Sequence, residues 1–276
     1  MVVADCRDVA TVEGVLSHHR VEAVLHFAGL SQVGASVKDP AGYYASNVGG
    51  TAALVDAMRR AGVERMVFSS SAAVYGEPAA QPIPETAPLE PVNPYGRSKA
   101  MAERILQDAA GAGQLRAICL RYFNAAGAAA DGSMGEDHRP ETHLIPRVLA
   151  AALKGGSVTV YGSDYPTPDG TAVRDYVHVE DLAGAHAAAL AALDRVPFGA
   201  YNLGTGKGHS VKDVIACASR VTGRSIKIEL GARRDGDPKE LVANKGLCEI
   251  NLKYKFLHSD IDNIIKTAHM WHEKKV

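Results

Sequence analysis

A doubly wound α/β sheet is the fold class this sequence predicts, and three observations predict it. Residues 21–27 form a near-continuous apolar run closed by Ala28-Gly29, as expected of a strand buried on both faces of a parallel sheet. Two further apolar runs, 65–70 and 116–122, are separated from what precedes them by stretches of helical periodicity. The run at 65–70 ends in Ser69-Ser70-Ser71, and the carboxyl ends of such strands open onto the crevice where these sheets bind ligands.

Composition sets wide bounds. A chain of 276 residues, 46% hydrophobic and 22% charged, is an ordinary globular protein with room for one large domain or two modest ones. A net charge of −1 makes no electrostatic case for nucleic acid or an anionic membrane. There is neither a long apolar run nor a signal-peptide pattern at Met1-Val2-Val3-Ala4-Asp5, so a cytoplasmic location is expected. Cys6, Cys119, Cys217 and Cys248 are scattered without a Cys-x-x-Cys pair; reduced thiols are expected, and no metal site.

Taken in order, residues 2–5 read as the end of a short strand and residues 9–19 as a helix. The strand at 21–27 is followed by a long helix at 40–61 and the strand at 65–70. Pro94 stands where a helix begins, and the run from Lys99 to Leu106 continues as a strong helix former. The strand at 116–122 leads into a Gly- and charge-rich loop at 131–140 that frames a pocket, with Glu136 and Asp137 read as solvated charges. A short strand at 158–161 precedes the turn chemistry of Tyr165-Pro166-Thr167-Pro168-Asp169-Gly170. His186 lies in an alanine-rich packing helix. Gly204-Thr205-Gly206-Lys207-Gly208 follows a strand at 200–203 and precedes a helix capped by Ser210; it reads as a turn whose glycines supply positive φ, with a phosphate loop as the alternative. From about residue 244 arginine disappears and lysine replaces it, while Ile261, Ile264, Ile265, Ala268 and Trp271 keep a helical pattern.

The chemistry centres on Asn93-Pro94-Tyr95-Gly96-Arg97-Ser98-Lys99. Tyr95 and Lys99, four apart on the first turns of a helix, share one face. A phenol ionises near pH ~10, and a neighbouring cation lowers that value by roughly one to three units, which makes a usable base for a hydroxyl proton. Ser71, at the strand end, is placed to hydrogen-bond the same hydroxyl.

Ser69-Ser70-Ser71-Ala72-Ala73-Val74-Tyr75-Gly76 together with Pro94-Tyr95-Gly96-Arg97-Ser98-Lys99 resembles the extended short-chain dehydrogenase/reductase superfamily, and within it the UDP-glucose 4-epimerase family. The likeness continues in order through His26-Phe27-Ala28-Gly29-Leu30, Tyr43-Tyr44 with Asn47-Val48, Arg121-Tyr122-Phe123-Asn124, Val173-Arg174-Asp175-Tyr176-Val177-His178-Val179, Tyr201-Asn202-Leu203-Gly204 and Arg233-Arg234-Asp235-Gly236-Asp237. It implies a Rossmann-like sheet with NAD bound over residues 1–125, and a smaller α/β domain for a UDP-sugar over residues 126–276, some of whose segments return to the first. It also implies interconversion of UDP-glucose and UDP-galactose in galactose metabolism.

Residue by residue, the resemblance makes Tyr95 the acid and base, has Lys99 lower its pKa and hold the nicotinamide ribose, and gives Ser71 a share of the substrate proton. For the cofactor it assigns Asp5 and Cys6 at the adenine, Phe27, Ala28, Gly29 and Leu30 beneath the pyrophosphate and ribose, and Ser69. Phe123 is placed at the nicotinamide amide, and Asn47 as a contact whose alternative is a buried, helix-bending Asn. For the sugar nucleotide it assigns Asn124, then His143, Leu144, Val160 and Tyr161 at the uracil, Arg174 and Arg234 on the diphosphate, Asp237 on a ribose, and Leu241 beside the sugar's 2-position. His178 is read as a structural histidine. Ser31 stands where several relatives carry lysine, and Leu241 where relatives carry tyrosine or a smaller residue, so sugar size is open.

No G-x-G-x-x-G or G-x-x-G-x-x-G occurs among the 27 glycines. Against the family pattern the chain is expected to begin roughly fifty residues late, the size of one βαβ unit, and as given to hold NAD weakly. Two rivals therefore stand beside epimerisation: a non-catalytic sugar-nucleotide-binding remnant, and a sugar-nucleotide 4,6-dehydratase, disfavoured because Ala72 and Ala73 occupy the positions of its extra acid and base. The resemblance further implies a homodimer, formed through the helices at 40–61 and 95–110.

Overall fold

The structure is a computed structural model that describes residues 1–234 and 236–275. Helix α1 (Val9–His18), capped by the Asp8 carboxylate on the Thr11 N–H, leads to strand β1 (Val24–His26). Helix α2 (Val33–Lys38) and a continuous helical segment follow. The latter opens as α3 (Pro40–Tyr43), passes through a π-turn at Tyr44–Gly49 and continues as α4 (Gly50–Ala61). Strand β2 (Arg65–Ser71), helix α5 (Pro94–Gly111) and strand β3 (Arg116–Tyr122) complete the first alternation.

The main sheet has the order β1-β2-β3-β7, all parallel, where β7 (Phe198–Leu203) arrives from far along the chain. Its strands are apolar on both sides because both sides are covered. Met66, Phe68, Ala117 and Cys119 face α1, α4 and α5, while Val67, Ile118 and Leu120 face α7 (Val179–Ala192). The alternation of a two-faced strand thus appears as an unbroken apolar run.

The rest of the chain builds the facing half. Strand β4 (Asn124–Ala126) pairs with β6 (Val173–His178), which also pairs with β8 (Gly208–Ser210) and β10 (Glu240–Leu241). Strand β5 (Ser157–Tyr161) pairs with β9 (Lys227–Gly231). Helices α6 (Leu144–Lys154), α8 (Val211–Thr222) and α9 (Ile261–Glu273) pack around Val158, Val160 and Tyr176. Ser210 caps α8 through a reciprocal capping box with Asp213.

Three sequence expectations change. Residues 2–5 are exposed coil with no ladder partner among the described residues, so they form no strand. The first sheet strand is three residues rather than seven, because its ladder with β2 covers only Val24–His26. The helix expected at 40–61 carries the π-turn in its middle. The glycine turn after β7 settles the other way from phosphate binding: the buried Asp175 carboxylate accepts from the N–H groups of Thr205 (2.8 Å) and Gly206 (2.9 Å) and from that of Ala243 (3.1 Å). The protein's own anion fills that nest.

One buried ion pair joins the layers. Glu103 of α5 receives Arg121 of β3 through Nε (3.0 Å) and Nη2 (2.7 Å), and Ser70 of β2 donates to the same carboxylate at 2.5 Å. Arg121 also donates to the Tyr75 hydroxyl and to the Glu85 carbonyl, and both ions are about 5% exposed. Removing one ion strands the other, which costs about 3–5 kcal/mol, whereas replacing both is far milder. Glu103→Ala is therefore expected to lower unfolding stability by about 3–5 kcal/mol in urea titrations, and the double variant Glu103→Leu with Arg121→Met by much less.

Candidate active site

The reacting end is built by two close approaches. Helix α5 starts at Pro94, with the Asn93 side chain accepting from the Gly96 N–H at 2.9 Å. A Cβ at Gly96 would stand 2.4 Å from the Ala73 carbonyl oxygen and 2.9 Å from Pro91 Cβ. Only glycine lets the first turn of α5 rest on the loop that follows Ser71, and Tyr95 and Ser71 line the same cavity. Ser71 in turn caps the short 3-10 turn after β2 by accepting from the Ala73 N–H.

Lys99 is 5% exposed, and its ammonium donates to the Ser69 carbonyl at 2.8 Å and stands 4.8 Å from the centre of the Phe68 ring. Burial brings its pKa down to about 8 against the opposing pull of Glu103, one turn further along α5. Burial also raises Tyr95, and the Ser71 hydrogen bond opposes it. In the protein alone Lys99 donates to the Ser69 carbonyl, and the influence that opposes burial at Tyr95 is Ser71.

These groups line one end of a cavity of about 1350 Å³, which also exposes Phe27, Gly29, Phe123, Asn124, His143, Arg174, Arg234, Asp237 and Leu241 of the expected residues. Among the described residues Lys99 satisfies one acceptor, and an ammonium carries three donors, so it retains donors for ligand hydroxyls. A Cβ at Gly29 would lie 3.0 Å from Asn47 Oδ1 and 3.5 Å from Lys99 Nζ, so the floor beside the ammonium is bare backbone.

Other expected residues lie elsewhere. Asn47, in the π-turn, is 3% exposed; its side chain accepts from the Leu30 N–H (2.8 Å) and donates to the Leu30 carbonyl (3.0 Å) and Ser98 Oγ (2.9 Å). It therefore fixes the backbone after Gly29 and would reach a cofactor only through it, which is the alternative reading of a buried Asn. Val160 is 1% exposed inside the core, so its side chain is not available to uracil. Asp5 is exposed and paired with Arg7 (2.6 Å), with Cys6 half-buried next to it. Ala28 and Leu30 flank the cavity-lining Gly29 but do not themselves line the cavity; Leu144 opens α6 just past His143.

Also lining the cavity, Arg174 and Asp237 bind each other, and Arg174 donates to the Pro238 carbonyl at 2.7 Å. Arg234 stacks on Tyr161, 4.0 Å from the ring centre, and Arg234 and Arg147 hold that phenol below its usual value by hydrogen bonding. Asp235 of the Arg233-Arg234-Asp235-Gly236-Asp237 motif lies outside the described residues. His178 is fully buried, with its Nε2 2.9 Å from Thr267 Oγ1, a structural histidine. Sequence reasoning missed Tyr122 and Arg147, which line the cavity. Tyr122 ends β3 and lies 2.5 Å from His186 Nε2, while Arg147 follows His143 by one helical turn, the spacing that a search for same-face partners would have used.

The sequence of the family described as "NAD dependent epimerase/dehydratase family" matches residues 1–204, three quarters of the described fold and all of the reacting end. The chain belongs to that family. The UDP-glucose 4-epimerase of Lactobacillus helveticus is 47% identical over 271 residues, spanning 98% of this chain and 82% of the relative. Two solved structures superpose closely. That of the Brucella ovis UDP-glucose 4-epimerase in complex with NAD has 48% identity and a TM-score of 0.93, covering 97% of this chain and 83% of that one. That of the Stenotrophomonas maltophila UDP-glucose-4-epimerase, with bound NAD and formylated UDP-arabinopyranose, has 41% identity and a TM-score of 0.96, covering 99% and 82%. For a member of this family, the bare floor at Gly29 and the unspent donors of Lys99 fit the nicotinamide half of NAD.

The lowered Lys99 value is directly measurable. Burial disfavours the charged form, so Lys99 is expected to be protonated below about pH 8 and neutral above it, whereas surface lysines titrate near ~10.4. In ¹³C-dimethyl-lysine spectra, with Lys99→Met to assign the resonance, a midpoint near 8 is expected; a midpoint with the surface lysines would contradict this.

Proposed function

We propose that the protein catalyses the NAD-dependent interconversion of UDP-glucose and UDP-galactose through transient oxidation at C4, with Ser71, Tyr95 and Lys99 at the reacting carbon. The single observation carrying this reading is that Ser71, Tyr95 and Lys99 line the same cavity as Arg174, Arg234 and Asp237. The likeness to UDP-glucose 4-epimerases over 98% of the chain supports it.

In this reading Lys99 and the backbone at Gly29 hold the nicotinamide ribose, with Phe123 and Ser69 beside the ring, and Phe27 further along the cavity. Asn47 acts on the cofactor through the Leu30 backbone. When bound, NAD would supply the acceptor, and then the donor, of the C4 hydride. Tyr95 takes the O4 proton as hydride leaves and gives it back as hydride returns, so no proton is gained or lost over a cycle. Ser71 donates to the same oxygen and passes the proton between it and the phenol. The burial that raises Tyr95 makes it a poor base by itself, and the Lys99 ammonium, four residues along the same helix, would bring it into range once it turns toward the ligand.

Arg174 would release Asp237 to take the diphosphate with Arg234, since a planar fork suits two parallel bonds to phosphate oxygens, and the freed Asp237 carboxylate would accept from a ribose hydroxyl. Asn124, His143 and Tyr161 lie along the nucleotide. Residues 1–125 would carry mainly cofactor and residues 126–276 mainly sugar nucleotide, with α7 and β7 returning to the main sheet. At about 1350 Å³ the cavity exceeds the usual ~300–1,000 Å³ of small-ligand sites, in keeping with a cofactor and a sugar nucleotide sharing it. A homodimer is proposed through α4 and α5, where Met101 stands 48% exposed. Ala72 and Ala73 both line the cavity with methyl groups, which move no protons and so weigh against the dehydratase. No helix among the described residues is long and apolar enough to cross a membrane.

With NAD supplied in excess, Tyr95→Phe is expected to cut UDP-galactose conversion by at least about a hundredfold while UDP-sugar binding by calorimetry is kept; near-normal turnover would remove Tyr95 from the mechanism. Leu241 lines the cavity and is smaller than the tyrosine some relatives carry. UDP-N-acetylglucosamine is therefore expected to be epimerised as well, and Leu241→Tyr to abolish that activity while sparing UDP-glucose. Absence of acetylated product with the unaltered chain would overturn the size argument.

A further inference from the structure

Outside the reacting end, one cluster of side chains has the chemistry of a metal centre. Glu136, His138, Glu141 and His143 follow one another as E-x-H-x-x-E-x-H in the segment between β4 and α6, and one ligand atom from each lies within 4.8 Å of all the others. His138 Nδ1 stands 2.9 Å from Glu136 Oε1 and 3.9 Å from Glu141 Oε2, and His143 Nδ1 stands 3.4 Å from Glu141 Oε1. Glu136 Oε1 also hydrogen-bonds His143 Nδ1. A tetrahedral ion with bonds of ~2.0–2.1 Å separates its ligand atoms by roughly 3.3 Å. The separations, none above 4.8 Å, bracket that spacing, and an ion would take the place of the Glu136–imidazole hydrogen bonds.

The segment is held in place independently of the cluster. Trp271 of α9 donates from its indole to the Glu136 carbonyl at 2.8 Å, and Lys274 donates to the Gly132 carbonyl at 2.8 Å. Gly135 lies flat on the Trp271 ring, where a Cβ would come within 2.4 Å. Glu141 accepts from the Thr142 (2.7 Å) and His143 (2.8 Å) N–H groups, which fixes its carboxylate. Such outer contacts orient ligands before an ion arrives. The two carboxylates are mostly covered, at 19% and 23%, while the imidazoles are 44% and 53% exposed and leave a path from solvent.

We propose that Glu136, His138, Glu141 and His143, which line the cavity, bind one divalent transition-metal ion of the zinc class. Two imidazoles and two carboxylates suit zinc, cobalt or nickel over the hard, oxygen-seeking magnesium and calcium, and two carboxylates balance the charge of the ion. The expectation of no metal site rested on the cysteines and did not weigh a His/Glu alternation. It does not depend on the reaction at Tyr95, and its test does not read activity.

Titration of the full chain with Co²⁺ is expected to give one saturable set of visible bands of tetrahedral intensity, displaced by Zn²⁺. His138→Ala and Glu141→Gln are each expected to weaken binding by at least about tenfold, a typical penalty for disturbing a metal site. Zn²⁺ should raise the melting temperature of the unaltered chain and not that of the His138→Ala, His143→Ala double variant, whose two altered side chains are about half exposed. Absence of saturable bands, equal affinity in the variants, or a strong thiolate-to-cobalt absorption marking binding at Cys6 would overturn the proposal.

Discussion

The Arg121–Glu103 pair is the constraint on which the rest of the site depends. It spans β3 and α5, recruits Ser70 from β2 and Tyr75 from the turn beyond it, and lies one helical turn from Lys99. The helix bearing Tyr95 cannot shift along the sheet without parting two ions that have no water to turn to. Hydrophobic packing around Leu106 and Ala102 presses α5 onto the sheet, but it is non-directional and would tolerate sliding. The directional bonds of a guanidinium to a carboxylate set the register. The same carboxylate offsets part of the penalty that burial imposes on the Lys99 ammonium.

A second theme is that the protein satisfies several anion- and cation-binding groups with its own side chains. Asp175 fills the amide nest at Thr205-Gly206, Asp237 occupies Arg174, and the Ser69 carbonyl takes one donor of Lys99. The first is buried and permanent: Asp175 is fully covered and holds β6, the end of β7 and the segment at Ala243 together. The other two lie at the cavity wall, where a ligand can exchange places with the internal partner.

Much of this was legible in the sequence, for physical reasons. Strands covered on both faces read as apolar runs, so β2 and β3 were found nearly to the residue, and Pro94 with the helix-forming run after it marked the helix that carries Tyr95 and Lys99. What escaped was set by three-dimensional neighbours. The direction of the Lys99 ammonium depends on the Ser69 carbonyl across the strand end, which no spacing reveals. Asn47 was read toward the cofactor because its motif says so, but its partners, Leu30 and Ser98, are 17 and 51 residues away. Val160 sits in a motif shared with ligand contacts, yet strand alternation turns its side chain into the core.

The π-turn at Tyr44–Gly49 has a genetic consequence. It accommodates one more residue per turn than α geometry, and it separates two faces that are each pinned: Tyr43 and Asn47, tied to Gln32 and Leu30, and the core face of Leu54, Val55 and Met58. Each residue of an α-helix advances the phase by about 100°. Loss of a single codon between Asn47 and Gly50 would therefore yield a smoother helix and a worse protein, because either the Leu30 clamp or the Met58 face would have to swing away from its partner. Point substitutions in this segment are read one side chain at a time. Deletions and insertions are read as a rotation of everything on one side of it.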